Sequence, residues 1–212
     1  MKNKICLILV FLFSFINLGA IPQKELVNSF ISIESEIKGY SNFLESGVKV
    51  EYKSNLKKEK EFEKLKDNII SFYKNEDIIA KDDNIQVNKI LKKININIYE
   101  ENDKTQVEIT LINYDSEKSL SKLMKELTKL QTNNAIEVRY FKYVKGRINN
   151  TEEALEAIKN TSYLKDIETL DIHNGNVGTA ILYDGERVNF VISSYDTGSY
   201  LIIGTPIIFT TY

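Results

Sequence analysis

The run Tyr200-Leu201-Ile202-Ile203-Gly204-Thr205-Pro206-Ile207-Ile208-Phe209-Thr210-Thr211-Tyr212 decides the fold class of this 212-residue chain. Its apolar residues are too continuous for a strand with one face in water and too rich in β-branched types for a helix. It reads as the strand on which the rest of the chain packs. Gly204-Thr205-Pro206 divides it into two strand pieces, the first fully buried and the second closer to an edge, because Pro206 has no amide to give to a ladder. Just upstream, Asn174-Gly175 and Asp184-Gly185 are hairpin-type turn signals, and Asp196-Thr197-Gly198 is a third. Antiparallel strands are therefore expected over residues 167–172, 177–183, 188–194 and 200–209.

Further back, Leu26, Phe30, Ile33, Ile37 and Leu44 recur at helical spacing over residues 22–46, with Pro22 in the first turn and Gly47 as the exit. Val48, Val50 and Tyr52 alternate with charged residues as in a half-buried strand. A charged helix follows over residues 57–73, with Phe62, Leu65, Ile69 and Phe72 inward and its Glu and Lys residues outward. Beyond a polar turn at Lys81-Asp82-Asp83-Asn84, the alternations Ile94, Ile96, Ile98 and Val107, Ile109, Leu111 form a hairpin. Residues 116–131 form a second long helix with Ser116 as N-cap and Leu123, Leu127 and Leu130 inward. Ile136, Val138, Tyr140 and Val144 mark a strand, and Asn150 caps a helix with Glu152 and Glu153 in its first turn.

The order helix, strand, helix, meander thus occurs twice, over residues 22–114 and 115–212, without shared residue identity. The expectation is a single α+β domain over residues 21–212, in which an antiparallel sheet packs against two long helices. Residues 1–20 have the parts of a secretory signal: Lys2 and Lys4, an apolar core, and Gly19-Ala20. Leu18 departs from the cleavage rule, so an uncleaved segment is the one route to a membrane. Cys6, inside the apolar core, is poorly placed for lipid attachment. With no other Cys, the exported part needs no disulfide framework. Net charge is −2, becoming −4 when Lys2 and Lys4 leave with the signal, which disfavours a general polyanion binder.

Candidate chemistry is sparse. The one histidine, His173, shares a strand face with Asp171 but has no nucleophile, and one His without Cys makes a poor zinc set. Asp82-Asp83-Asn84, and Asp171 with Asn174 and Asn176, offer oxygen ligands but match no calcium loop. Glu100-Glu101 and Glu152-Glu153 are sequence neighbours, not carboxylates held across a cleft. No cofactor is expected. The strand around residues 139–147 is basic and aromatic, and alternation splits it: Arg139, Phe141, Tyr143 and Lys145 share one face as candidate ligand contacts, while Tyr140 and Lys142 point the other way.

The ending Ile203-Gly204-Thr205-Pro206-Ile207-Ile208, after a hairpin carrying Asn189 and behind a long N-terminal helix with a signal segment, resembles the YwmB-like family of Gram-positive bacteria. Gly204, Thr205 and Pro206 with their apolar flanks are the tight motif, and the rest of the resemblance is one of layout. It implies an exported protein with a TATA-box-binding-like duplicated fold and no catalytic residues to carry over. The reading is a non-enzymatic module at the bacterial cell envelope that binds a protein, a peptide or a wall polymer through its sheet. The alternative is a hydrolase acting on envelope polysaccharide or peptide. Nucleic-acid binding is implied by the fold label alone.

Overall fold

The computed structural model describes residues 26–74 and 77–210. The signal read over residues 1–20 with its Cys6, the N-terminal Pro22, and the final Thr211-Tyr212 lie outside the described residues. Helix α1 (Leu26–Tyr40) leads into β1 (Asn42–Ser54), α2 (Lys58–Phe72), and a meander of β2 (Ile78–Lys81), β3 (Asn84–Lys89), β4 (Lys92–Glu101) and β5 (Lys104–Asn113). Helix α3 (Leu120–Leu130) leads into β6 (Ala135–Ile148), α4 (Thr151–Asn160), and a meander of β7 (Leu164–Ile172), β8 (Gly175–Leu182), β9 (Arg187–Tyr195) and β10 (Gly198–Thr205). The fold is α+β, and the ten strands form one antiparallel sheet in the order β2-β3-β4-β5-β1-β6-β10-β9-β8-β7.

The middle of that sheet is the pair β1–β6, of 13 and 14 residues, and not the apolar run at the C-terminus. Continuous apolarity in β10 reflects cover on both of its faces; β1 and β6 interleave charged residues because their second face is covered only in part. The second strand piece expected after Gly204-Thr205-Pro206 is absent: β10 ends at Thr205, the Thr205–Pro206 peptide is cis, and residues 206–210 form no strand. Pro206 has no N–H with which to continue the ladder. The three turns are where the sequence puts them, with Gly175, Gly185 and Gly198 at φ of 150°, 87° and 131°.

Two helix ends differ from expectation. Helix α1 stops at Tyr40, where both the amide and the hydroxyl of Ser41 donate to Ile37 O, at 3.0 and 2.7 Å. Leu44 and Gly47 then belong to β1, because pairing with both β5 and β6 outweighs the helical spacing of Leu44. Helix α3 is capped by Ser119, not Ser116, because buried Glu34 of α1 accepts the Leu120 amide on both carboxylate oxygens, at 3.0 and 3.2 Å. A carboxylate there meets the positive end of the helix. Asn150 caps α4 as expected, accepting the amides of Glu152 and Glu153.

The helices cover one face of the sheet, and the two that precede the long strands are exchanged. Helix α1 packs on β6 and α3, while α3 packs on β1 and β5. Ser29 of α1 donates to Asp184 in the β8–β9 turn, and Thr161, after α4, donates to Glu36 of α1. On the inner side of α2, against the α3–β6 turn, lies Glu61, fully buried and with no cation paired to it among the described residues. It accepts hydroxyl protons from Tyr52 (3.0 Å), Ser54 (2.7 Å) and Thr132 (2.6 Å). Sequence reading put every Glu of α2 outward, although Glu61 precedes Leu65 and Ile69 at steps of four and so lies on their stripe.

Candidate functional site

Arg139, Phe141, Tyr143 and Lys145, which the sequence puts on one face of their strand, lie on the face of the sheet opposite the helices. These four share that face, while Tyr140 and Val144 join the helix-side core and Lys142 pairs there with Glu186 at 3.2 Å. Burial pulls the Lys142 ammonium pKa down and pushes the Glu186 carboxyl up.

The centre of the face is built on two glycines. Tyr143 of β6 stands directly opposite Gly47 of β1 on one side and Gly204 of β10 on the other. With no side chain at Gly47, the Tyr143 ring lies over its backbone; a Cβ there would come 2.2 Å from Tyr143 Cε1. A Cβ on Gly204 would meet Lys142 O at 3.0 Å and Ile208 Cγ1 at 3.1 Å. Residues 206–210 run across this trough. Phe209 meets the Tyr143 ring edge-on at 4.9 Å between centroids and the Phe141 ring at 6.3 Å. Lys49 Nζ sits over Phe141 at 4.7 Å and over Phe209 at 5.5 Å.

Polar contacts pin the segment at both ends. Asn189 Nδ2 donates to Pro206 O, Thr205 Oγ1 donates to Arg187 O at 2.8 Å, and Thr210 Oγ1 donates to Glu45 Oε1 at 3.2 Å. Tyr143 OH donates to the same Glu45 oxygen at 2.9 Å. Burial, then the Glu45 charge, push the Tyr143 phenol well above its ordinary value, so it stays a neutral donor.

The structure therefore puts Phe141 and Tyr143, 3% and 0% exposed, beneath the chain's own C-terminal segment. Arg139 and Lys145 flank them: Arg139 pairs with Glu51 at 2.7 Å, and Lys145 Nζ lies 5.8 Å from the Tyr200 ring centre. Neither Phe209 nor Glu45 was picked out by sequence, since nothing local marks a chain that folds back.

The other half of the face, on β3, β4 and β5, is uncovered and polar. Ile85, Val87, Ile94, Ile96, Ile98, Val107, Ile109 and Leu111 face the helices. Alternation puts Asn84, Gln86, Asn95, Asn97, Tyr99, Gln106, Glu108 and Thr110 on the open side. Asn84 Nδ2 donates to Asn95 Oδ1 at 2.8 Å and Asn97 Oδ1 at 2.7 Å, which orients the row. Tyr99 OH reaches Glu108 at 3.3 Å; burial and that charge raise its phenol to about 12.

On the helix side, an open cleft of about 190 Å³ is lined by Lys89, Leu91, Lys92, Asn113, Asp115 and Lys118. Beside it Glu126 of α3 accepts from Lys118 (2.6 Å), Lys92 and Tyr73. Burial alone would raise the Glu126 carboxyl, but these donors outweigh it and hold the pKa at about 2.

The remaining candidates do not assemble. Asp171 accepts from Asn176 at 2.6 Å while His173 is exposed in the turn, and Asp83 pairs with Lys58 at 3.0 Å. Glu100-Glu101 end β4, exposed, and Glu152-Glu153 start α4. Among the described residues, no group of three or more His, Cys, Asp or Glu is placed to hold a metal ion. What the open face can do is bind, through an oriented amide and hydroxyl array beside an aromatic trough. No protein-family model matches the chain, and no curated protein matches its sequence.

Proposed function

We propose that the protein is a non-enzymatic, extracytoplasmic binding module of the bacterial cell envelope that holds a protein, a peptide or a wall polymer on the open face of its sheet. The observation that carries this reading is one-sided cover: helices bury one face, while the other presents Asn84, Gln86, Asn95, Asn97, Gln106 and Thr110 as ordered donors and acceptors. Amide and hydroxyl rows suit carbohydrate hydroxyls or peptide amides better than phosphate, and the acidic net charge argues the same way. Export rests on the Lys2, Lys4 and apolar pattern of residues 1–20. A YwmB-like, TATA-box-binding-like duplication is favoured by the Gly204-Thr205-Pro206 ending and by a strand order that reads alike in both directions from the β1–β6 pair.

The test is co-sedimentation of the purified chain with peptidoglycan, beside incubation with peptidoglycan and a panel of glycosides. Saturable binding that weakens in Asn95→Ala/Asn97→Ala is expected. Product release abolished by one acidic substitution would overturn the binding-only reading in favour of a hydrolase.

A further inference from the structure

The rim of the sheet formed by β7 lies at the opposite end of the strand order from the amide row of β3, β4 and β5. β7 is the last strand of the sheet and pairs on one side, with β8, so its other side carries unpaired backbone donors and acceptors. Its first part is interrupted: the register slips between Lys165 and Glu168, and Asp166 has φ of 51°. From Glu168 to Ile172 the pairing is regular, through Glu168–Thr179, Thr169–Gly178, Leu170–Val177, Asp171–Asn176 and Ile172–Gly175. Beyond the bulge before it and its carboxylates, this stretch has little edge protection. It has no proline and no lysine, no covering loop among the described residues, and all five residues are exposed, with Leu170 at 55% and Ile172 at 38%.

Its charge is one-sided. Asp166, Glu168 and Asp171 line the rim against the single Lys165, and among the described residues Asp166 and Glu168 have no ion-pair partner. Leu170 continues inward along one row of the sheet as Val177, Val191 and Ile202, so an apolar side chain arriving beside Leu170 would extend an existing apolar strip.

We propose that β7 accepts an extended segment of a partner protein as an eleventh strand, and that this segment sets apolar residues beside Leu170 and Ile172 and basic residues beside Glu168 and Asp171. Main-chain pairing would supply the bond ladder; Glu168, Leu170 and Ile172 share one face of β7 and Asp171 lies on the other, so the incoming residues opposite 168, 170, 171 and 172 are basic, apolar, basic and apolar in turn. A second copy docking through its own β7 would set three carboxylates against three. The opposite rim, β2, offers a copy only four residues and one lysine, Lys81. Charge therefore selects a different chain over a copy of this one. The inference does not rest on the wall-binding reading, because it involves neither Asn95 nor Asn97.

The test uses the full chain and a fluorophore-labelled peptide carrying the antiparallel order Val-Lys-Val-Thr-Lys, which sets its lysines opposite Glu168 and Asp171, followed by fluorescence anisotropy and amide hydrogen exchange. Saturable binding is expected, with slowed exchange confined to β7 and its neighbours. Glu168→Lys/Asp171→Lys should weaken binding by about ten-fold or more, since cross-strand pairs contribute up to about 1 kcal/mol each. Both positions are exposed, so circular dichroism should show the variant folded. The same peptide carrying N-methyl groups on alternate amides should lose binding, which charge attraction alone would not cause. Equal binding of the N-methylated peptide, protection mapped to the open face, no binding at all, or concentration-dependent self-association that competes with the peptide would each overturn the proposal. Asn95→Ala/Asn97→Ala should leave peptide binding unchanged, so failure here and failure of wall binding are separately visible.

Discussion

Glu61 is a charge-bearing side chain placed where only neutral atoms would otherwise go, and three hydroxyls make that tolerable. Removing it leaves Tyr52, Ser54 and Thr132 without their common acceptor in a closed space. Each unsatisfied buried group costs about 1–3 kcal/mol, so Glu61→Ala should lower unfolding free energy by about 3 kcal/mol or more in urea melts. Glu61→Gln keeps one acceptor oxygen and should cost clearly less; equal losses would show that the site is held by volume alone. The glycines of the trough act in the opposite sense, by having nothing to place. Gly47→Ala puts a carbon into the Tyr143 ring, and Gly204→Val puts three against Lys142 O, Ile208 and Tyr143. Overpacking of this kind costs about 1–3 kcal/mol. An unchanged melting midpoint in either variant would contradict the close approach. Of these residues, Gly204 was legible as a site of close approach, since a glycine inside an apolar run has few other reasons to be there. Gly47 was not, because its role depends on a ring 96 residues later in the chain, at Tyr143.

At the scale of elements, the C-terminal segment is the piece with the most consequence for the open face. It is held by Phe209 in the aromatic trough and by side-chain bonds at Pro206 and Thr210, not by a ladder. Such a piece can be removed without unpairing a strand. A chain ending at Thr205 should therefore keep its far-ultraviolet circular dichroism, melt at lower temperature, and bind a hydrophobic dye through the uncovered Phe141 and Tyr143. Phe209→Ala alone should cost about 1–2 kcal/mol, from the lost ring pair and its buried area. Loss of the whole sheet on truncation would mean that the segment is structural and not a cover. Most elements were legible because period and turn chemistry agree in them, as in β4–β5 and in the three hairpins of the second meander. The β2–β3 hairpin was not read from the sequence, which showed only a polar turn at Lys81-Asp82-Asp83-Asn84, since strands of four and six residues are too short to show a period clearly. The segment after Pro206 was misread because β-branched residues suit a strand wherever their partners permit one, and the partners are not written locally.

For the whole molecule, acid is the informative stress. Glu126 joins α3 to β4 through Lys92, to the exit of α2 through Tyr73, and to the β5–α3 connection through Lys118. Its folded pKa of about 2 lies below the ordinary 4.5, so the carboxylate stabilises the fold fully above the ordinary value and loses that contribution as pH falls toward 2. Urea midpoints should fall between about pH 5 and pH 2 in the unmodified chain. Glu126→Gln should be weaker at neutral pH and flatter over the same interval; an identical slope would assign the acid sensitivity elsewhere. The two-part order of elements was legible at this scale because each part repeats a sequence of periods. The face each helix covers was not, since spacing gives the apolar stripe of α1 but not the strands that receive it.

The exchange of α1 and α3 sets a schedule for the newborn chain. The apolar stripe of α1 finds its seat on β6, and Ser29 finds Asp184 only after another 155 residues have followed it. At about 5–20 residues per second of synthesis, that is a wait of roughly 8 to 30 seconds. Until α3 and β6 have followed, Phe30, Ile33 and Ile37 have no permanent surface to cover, and β1 to β5 lack the lid that α3 will provide. The first half emerges as an unfinished object, closed only by the opening helix and strand of the second.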